Sequence, residues 1–301
     1  MTEETNPVTI RELLQQGCAR LADNSDSARL DAEILLEHVL KTARVTFYTQ
    51  GADPVVANAG KHFLQLVEQR RCGQPVAQLI GRREFWSMPL EVTTDTLIPR
   101  PETELLVERG LVRIRPQSTA SVLELGTGSG AIALAIARER SAAAITATDV
   151  SEVALKVARG NAHRLNIDGI CWQQGPWFEP VRESCFDIIL SNPPYVATTL
   201  NGCTDAAVMH EPSIALFAGP DGLDAIRAII GRADAHLHAG GWLLLEHAND
   251  QAKVVRSLLA DLEFSSIATY RDLSGQQRVT EGCWKQATAG SAIGGEGDSY
   301  D

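Results

Sequence analysis

Residues 186–195 of the chain read FDIILSNPPY. The first six residues form a short apolar run that predicts a buried strand. The strand cannot continue through this turn, because neither Pro193 nor Pro194 has an N–H to donate to a neighbouring strand. In open α/β sheets, ligands bind at the carboxyl ends of the strands. We therefore expect this turn to present the Asn192 amide, unpaired carbonyl groups and the Tyr195 ring to a planar group that carries an NH2.

Strand and helix patterns alternate from about residue 120 onwards. Strands are predicted at residues 121–125, 144–149, 169–173, 186–191, 241–246, 264–270 and 277–284. Helices are predicted from Gly130 and from about Ser151, where apolar residues recur at helical spacing. This alternation is typical of βαβ units, so the predicted fold class is α/β with a mostly parallel, Rossmann-like sheet over residues 101–286.

The segments that flank this sheet have different patterns. Residues 1–75 are predicted to form a small helical domain, because apolar side chains recur there at helical spacing. Residues 76–100 are predicted to form a β-hairpin linker, built from segments 76–81 and 83–92. Residues 287–301 have few bulky apolar side chains, so we expect a disordered tail.

The composition limits the classes of function. The chain has 301 residues and a formal net charge of -11, unlike the basic surface of proteins that bind long nucleic acids. No stretch approaches the roughly 20 apolar residues of a membrane span, and the polar N-terminal segment does not resemble a signal peptide. The six cysteines show no metal-like spacing. We expect a cytoplasmic monomer with free thiols and no metal, membrane or direct nucleic-acid contact.

A glycine-rich turn follows the first predicted strand of the sheet. Residues 124–130 read ELGTGSG, which differs from the GxGxxG pattern of dinucleotide sites. Alone, this turn indicates either a nucleotide-type ligand or a tight passage from strand to helix. Asp149 ends the next strand, where a carboxylate can accept hydrogen bonds from ribose hydroxyls or cap the following helix.

The glycine-rich turn, Asp149 and the Asn-Pro-Pro-Tyr turn together resemble the S-adenosylmethionine-dependent methyltransferases that modify a planar amino or amide nitrogen. Further stretches are similar to one family among them, namely residues 31–36, 83–86, 98–104, 211–212, 241–247 and 272–279. From about residue 10 to residue 284, the chain resembles the release factor N5-glutamine methyltransferases of the PrmC/HemK type.

The resemblance implies a cofactor, a substrate and the residues that bind them. The cofactor would be S-adenosyl-L-methionine, and the partner a class 1 peptide chain release factor, methylated on the glutamine of its Gly-Gly-Gln motif. The helical domain would help to clasp this partner. The residues implied for the cofactor are Gly126, Thr127, Gly128, Ser129 and Gly130 at the methionine part, Asp149 at the ribose, Trp177 near the adenine, and Asn192. The residues implied for the substrate are Asn192, Pro193, Pro194 and Tyr195, with Asn192, Pro193 and Tyr195 as the catalytic groups.

Two positions depart from the family pattern. The family usually has an Asp immediately before the equivalent of Trp177, whereas this chain has Pro176, which offers neither a carboxylate nor an N–H. Adenine recognition would then rest on Trp177 and on carbonyl groups. His210 occupies a position where the family often has an aromatic residue or Arg.

Three other interpretations remain open at this point. An adenine-N6 methyltransferase of nucleic acids would use a similar turn, although the acidic charge disfavours it. A methyltransferase that modifies a glutamine of a ribosomal protein fits the same motifs. A binding module on an inactive Rossmann-like domain is disfavoured by the intact cofactor and substrate motifs.

Overall fold

The computed structural model describes residues 8–200 and 208–284, so the predicted tail at 287–301 lies outside the described residues. The N-terminal part is helical. Its helices are α1 (Ile10–Leu21), α2 (Ala28–Leu40), α3 (Thr46–Thr49), α4 (Ala57–Arg71) and α5 (Val76–Ile80). A capping box begins α1, in which Thr9 and Glu12 each accept a hydrogen bond from the other's backbone N–H. Helices α1, α2 and α4 enclose a core of their own, around Leu13, Leu35 and Phe63.

The prediction that residues 76–81 belong to the β-hairpin was wrong. This segment is helix α5, which follows Pro75 and ends at Gly81 in the left-handed region at φ +70. Val76, Leu79 and Ile80 pack against the apolar core of the helical part. The hairpin itself consists of β1 (Arg82–Phe85) and β2 (Met88–Glu91), and its strands pair antiparallel. Apolar residues at i, i+3 and i+4 explain why packing favoured a helix here.

The sheet predicted for the second part of the chain is confirmed. Within the described residues it has seven strands in the order β5-β4-β3-β6-β7-β9-β8. The strands are β3 (Ser121–Leu125), β4 (Ala144–Asp149), β5 (Cys171–Gln174), β6 (Phe186–Ser191), β7 (Leu237–Glu246), β8 (Ser265–Arg271) and β9 (Gln277–Cys283). Strands β3 to β7 are parallel, and β9 pairs antiparallel with both β7 and β8. The helices of this part are α6 (Glu104–Arg113), α7 (Ala131–Glu139), α8 (Glu152–Leu165), α9 (Asp224–Ala233) and α10 (Ala252–Asp261).

The strand order reverses between β3 and β6. The chain moves outward from β3 to β4 and β5, and then returns to place β6 on the other side of β3. Leu125 of β3 and Ser191 of β6 are paired in register, so both strands end at the same level. A reversal of this kind opens a crevice at the carboxyl ends of the strands, which is where open α/β sheets bind ligands.

Three features of the described residues relate to the composition of the chain. No helix there is both long and apolar enough to cross a membrane. The described part of the chain also contains no group of His, Cys, Asp or Glu side chains arranged to hold a metal ion. Cys18, Cys72, Cys171, Cys185 and Cys283 are free thiols.

Candidate active site

A cavity of about 660 Å³ lies at the reversal point of the sheet. This volume falls within the range of roughly 300–1,000 Å³ that is typical of small-molecule sites. Six residues predicted from the sequence to form the site line it together: Gly126, Gly128, Asp149, Trp177, Asn192 and Pro194. They lie at or just after the carboxyl ends of β3, β4, β5 and β6, so the strand order brings together residues that are far apart in sequence.

Other predicted site residues are not among those that line the cavity. The Thr127 hydroxyl donates to Glu124 Oε2 at 2.7 Å, and the carbonyl of the buried Ser129 accepts from Asn161 Nδ2 at 2.9 Å. Gly130 is the N-cap residue of α7 at φ +85, and a Cβ added there would lie 3.1 Å from the Ala158 Cβ. These residues shape the glycine-rich turn from behind.

The glycine-rich turn is held on both sides by hydrogen bonds. The backbone N–H groups of Gly126 and Thr127 both donate to the Thr148 carbonyl, at 2.9 and 3.0 Å. Behind the turn, burial raises the pKa of Glu124 to about 8, although its hydrogen bonds from the Thr127 hydroxyl and the Ala133 N–H oppose this rise. The turn is therefore set before any ligand arrives, which lowers the entropy cost of binding.

Asp149 links the glycine-rich turn to the next helix. Its Oδ2 accepts from Gly128 N at 2.8 Å, and its Oδ1 accepts from Ser151 N at 2.9 Å. The helix-capping role falls to Ser151, whose hydroxyl accepts from Ala154 N at 3.2 Å. Burial raises the pKa of Asp149, while the two backbone N–H groups act against this rise. Each carboxylate oxygen retains a lone pair for a ligand hydroxyl.

The charge of the cavity wall is negative. Asp95, Asp149 and Asp224 line it, and its lining residues within the described chain include no Lys, Arg or His. Arg227 approaches Asp224 at 3.4 Å from outside the lining. Such a wall favours a ligand with a positive charge and disfavours phosphate groups, which usually require a cation or a helix N-terminus.

An apolar wall extends from Asp149 towards the turn after β5. Val150, Val153, Pro176 and Trp177 line this part of the cavity. Trp177 has a φ of +46, and a Cβ added to Gly126 would lie 3.8 Å from its ring. The glycine-rich turn therefore lies next to the indole, whose face fits a flat apolar ring.

The Asn192 side chain is oriented by a contact outside the Asn-Pro-Pro-Tyr turn. Its Nδ2 donates to the hydroxyl of the buried Thr103 at 3.1 Å. The amide oxygen of Asn192 is therefore the end that remains as an acceptor at the cavity. Ser191, one residue earlier, donates its hydroxyl to the Leu125 carbonyl at 2.8 Å, which ties the start of the turn to β3.

The second half of the turn is held by polar contacts of Tyr195. Its hydroxyl donates to Glu246 Oε1 at 3.3 Å, and its carbonyl accepts from Gln251 Nε2 at 3.0 Å. Val196 then donates its N–H to the Leu216 carbonyl at 2.8 Å. Pro193 is buried, and neither Pro193 nor Tyr195 is among the residues that line the cavity. Burial raises the pKa of Tyr195, so this phenol stays neutral at physiological pH.

Two stretches noted in the sequence contact each other beside the cavity. The buried carboxylate of Glu211 accepts from Ile98 N at 2.8 Å and forms an ion pair with Arg100. Nearby, Gln78 of the helical part donates to the His210 carbonyl at 3.0 Å. These contacts join the linker and the helical part to the loop that carries Pro212 and Ile214, which line the cavity.

Several residues that build the site were not predicted from the sequence. They are Glu124, Thr103, Gln251 and Glu246, together with Asn161, which also bonds both backbone groups of Glu91 in the hairpin. Glu246 offered one signal, because it ends a strand that could lie beside β6. The other four lie on helices or at buried positions, where the sequence does not distinguish a polar residue of a site from one with a structural role.

A mostly parallel sheet of this order, with a glycine-rich turn after its first strand and an acid after its second, defines a class I methyltransferase fold. A crystal structure of a methyltransferase from Pyrococcus furiosus shares this fold, with a TM-score of 0.50 and 22% identity, covering 66% of this chain and 89% of that chain. The family model of the methyltransferase small domain matches residues 102–213, and that of the PrmC N-terminal domain matches residues 12–81.

The curated relatives are similar over most of their length. A release factor glutamine methyltransferase of Xylella fastidiosa (strain Temecula1) is 48% identical over 84% of this chain and 92% of its own. A protein of the same name from Yersinia pestis is 44% identical over 87% of this chain and 94% of its own. The chain therefore belongs to the release factor glutamine methyltransferase family.

Proposed function

We propose that this protein transfers a methyl group from S-adenosyl-L-methionine to the side-chain nitrogen, N5, of the glutamine in the Gly-Gly-Gln motif of class 1 peptide chain release factors. The observation that carries the proposal is the Asn192 amide, which presents an oriented acceptor to the cavity at the sheet reversal. Membership of the family supports the choice of a release factor as substrate.

The cavity fits the proposed cofactor in charge and shape. S-adenosyl-L-methionine carries a positive sulfonium and a positive amino group, and the wall contains Asp95, Asp149 and Asp224. We propose that Asp149 accepts from the ribose hydroxyls and that Gly126 and Gly128 lie along the methionine part. The apolar wall at Trp177 would hold the adenine. When bound, the cofactor supplies an electrophilic methyl group.

The residues of the Asn-Pro-Pro-Tyr turn would then position the substrate. An amide nitrogen is a poor nucleophile, because its lone pair is delocalised into the carbonyl, so the main task is placement. The Asn192 Oδ1 and the Pro193 carbonyl would accept the two N–H hydrogens of the glutamine amide. Both acceptors bind more strongly as positive charge develops on the nitrogen, which stabilises the transition state relative to the bound substrate.

Tyr195 would pack against the amide plane without exchanging a proton. Its raised pKa rules out the phenolate form near neutral pH. No base is needed during the transfer, because a methylated amide that carries a positive charge on nitrogen is a very strong acid. The proton can therefore leave to water after the new C–N bond has formed.

We further propose that the helical part clasps the release factor. Its helix α5 is joined to the cavity rim by the contact of Gln78 with His210, and the linker is joined to the same rim by the contact of Arg100 with Glu211. In this division of labour residues 1–75 dock the partner, residues 76–100 connect, and residues 101–286 carry the chemistry. Helix α5 packs against the core of the helical part, so it would form part of the docking region.

One assay separates this proposal from its alternatives. The protein is incubated with methyl-labelled cofactor and, in separate reactions, a class 1 release factor, ribosomal protein or DNA. We expect label on the release factor, and none when the glutamine of its Gly-Gly-Gln motif is replaced. Label on ribosomal protein or DNA instead would favour the corresponding alternative. If the release factor, the ribosomal protein and the DNA all remain unlabelled, this would contradict a methyltransferase function.

A further inference from the structure

Glu246 is a buried carboxylate directly behind the Asn-Pro-Pro-Tyr turn. It ends β7, the strand that pairs with β6, and its side chain is fully shielded from solvent. Oε1 accepts a hydrogen bond from the Tyr195 hydroxyl, while Oε2 has no hydrogen-bond partner within the described residues. A carboxylate is costly to bury, and a neutral side chain of similar size would fill this volume at lower cost.

The Thr103 hydroxyl stands between Glu246 and Asn192. It accepts from Asn192 Nδ2, so its own hydrogen is available for another acceptor. The Thr103 hydroxyl also lowers the pKa of the Glu246 carboxyl. Glu246 is therefore hydrogen-bonded to Tyr195 and interacts electrostatically with the hydroxyl that orients Asn192.

The charges around Glu246 act in opposite directions. Burial raises its pKa to about 7, and Glu102 adds to the rise. The hydroxyls of Thr103 and Tyr195 and the guanidinium of Arg278 act against it. The carboxylate form, which accepts from the Tyr195 hydroxyl, is thus reached within the physiological range of pH.

We propose that Glu246 is a positioning residue for methyl transfer, which fixes the Tyr195 hydroxyl directly and the Asn192 amide through Thr103. This proposal rests on the proposed function, because it concerns the two groups that would hold the glutamine amide. Ionised Glu246 draws the Thr103 hydrogen towards itself, and this leaves the Thr103 oxygen to accept from Asn192. The Asn192 oxygen then faces the cavity.

Besides the double variant Thr103→Val/Glu246→Gln, the test compares four proteins with a release factor as substrate. They are the wild type, Glu246→Gln, Thr103→Val and the matched control Glu281→Gln, which alters an equally buried strand carboxylate whose partners Arg109 and Arg113 do not line the cavity. For each protein, kcat is measured between pH 5.5 and 8.5, the Kd for the cofactor at one pH, and the Tm.

We expect Glu246→Gln to lower kcat at least about tenfold, because misplaced reacting groups lose rate steeply, while the Kd for the cofactor is unchanged. The kcat of the wild type should rise with pH through about 7, and this rise should be absent in Glu246→Gln. Thr103→Val should lower kcat in the same direction, and the double variant should be no slower than Glu246→Gln alone. The control should lower the Tm without altering kcat or its pH profile.

A folded Glu246→Gln variant with the kcat and pH profile of the wild type would overturn the positioning role and leave the proposed function intact. Should Glu246→Gln fail to fold, Thr103→Val tests the positioning role instead. A normal kcat in that variant would exclude the positioning of Asn192 by Glu246 through Thr103. An equal loss of kcat in Glu281→Gln would show a general effect of stability and would also overturn the role. A wild type that fails to methylate the release factor would overturn the proposed function, and this inference with it.

Discussion

Replacing Asn192 by alanine removes the one side-chain acceptor that the Asn-Pro-Pro-Tyr turn presents to the cavity. Within the described residues the side chain makes a single hydrogen bond, from Nδ2 to the Thr103 hydroxyl at 3.1 Å. Losing one such bond costs about 0.5–1.5 kcal/mol of folding stability, so the variant should fold. The turn itself should persist, because it is also held through Ser191 and Tyr195.

The expected loss of rate is much larger than the loss of stability. A pre-organised hydrogen bond to a group on which charge develops contributes roughly 3–4 kcal/mol to the transition state, or about 10²–10³ in kcat. Thr103→Val is the matched variant, because it keeps the Asn192 oxygen and removes only the contact that orients it. Its rate should lie between those of the wild type and Asn192→Ala.

Single-turnover transfer of labelled methyl to a release factor measures this effect, and calorimetry gives the Kd for S-adenosyl-L-methionine. We expect the rate of Asn192→Ala to fall about 10²-fold or more, with the Kd for the cofactor changed by less than about threefold. A rate within about threefold of the wild type would refute the acceptor role. An equal loss of cofactor affinity and of rate would instead place Asn192 at the cofactor alone.

Three further outcomes follow from the same structure. Asp149→Asn should weaken cofactor binding by calorimetry, at least about tenfold for the loss of a charged acceptor, while a change in kcat alone would contradict the ribose role. Gly130→Ala should lower stability in urea by about 1–2 kcal/mol, because an alanine is strained at φ +85, and an unchanged midpoint would contradict this. Burial raises the pKa of Glu281, but hydrogen bonds from Arg113 and Arg109 outweigh burial and leave it lowered. Its contribution to stability is therefore present above the unfolded pKa of 4.5 and lost as the pH falls through the lower folded pKa, so Glu281→Gln should flatten the acid limb of stability against pH.

The sequence was most informative where one residue type leaves the backbone few choices. Pro193 and Pro194 cannot donate to a sheet, and the strand before them ends at Ser191, as expected. The glycine-rich turn likewise predicted a strand-to-helix passage, which the structure contains between β3 and α7. Such features are local, so they can be read without knowledge of the strand order.

The sequence was least informative where packing decides between two local conformations. Residues 76–81 contain Val76 and Ile80, which favour a strand, yet the segment is helical because its apolar face meets the core of the helical part. The pattern of residues 126–130 also did not show which of these residues would line the cavity. In the structure Gly126 and Gly128 line the cavity, whereas Thr127 points back to Glu124.

Contacts between distant residues depend on the strand order, which the sequence does not specify. Thr103, Asn192 and Glu246 come from three separate segments and meet only because β6 lies beside β7, with the turn before α6 packed near both. The rule that ligands bind at the carboxyl ends of parallel strands indicated the edge of the sheet at which the polar residues lie. The partners of each polar residue could be found only in the structure.

Methylation of a release factor glutamine at the Asn-Pro-Pro-Tyr turn can be observed on the product itself. The most direct measurement is peptide mass spectrometry of a class 1 release factor after incubation with S-adenosyl-L-methionine and either the wild type or Asn192→Ala. With the wild type we expect one added methyl group on the glutamine of the Gly-Gly-Gln motif, and with Asn192→Ala an unmodified peptide. An unmodified glutamine with the wild type, or a methyl group on another residue, would contradict methylation at this turn.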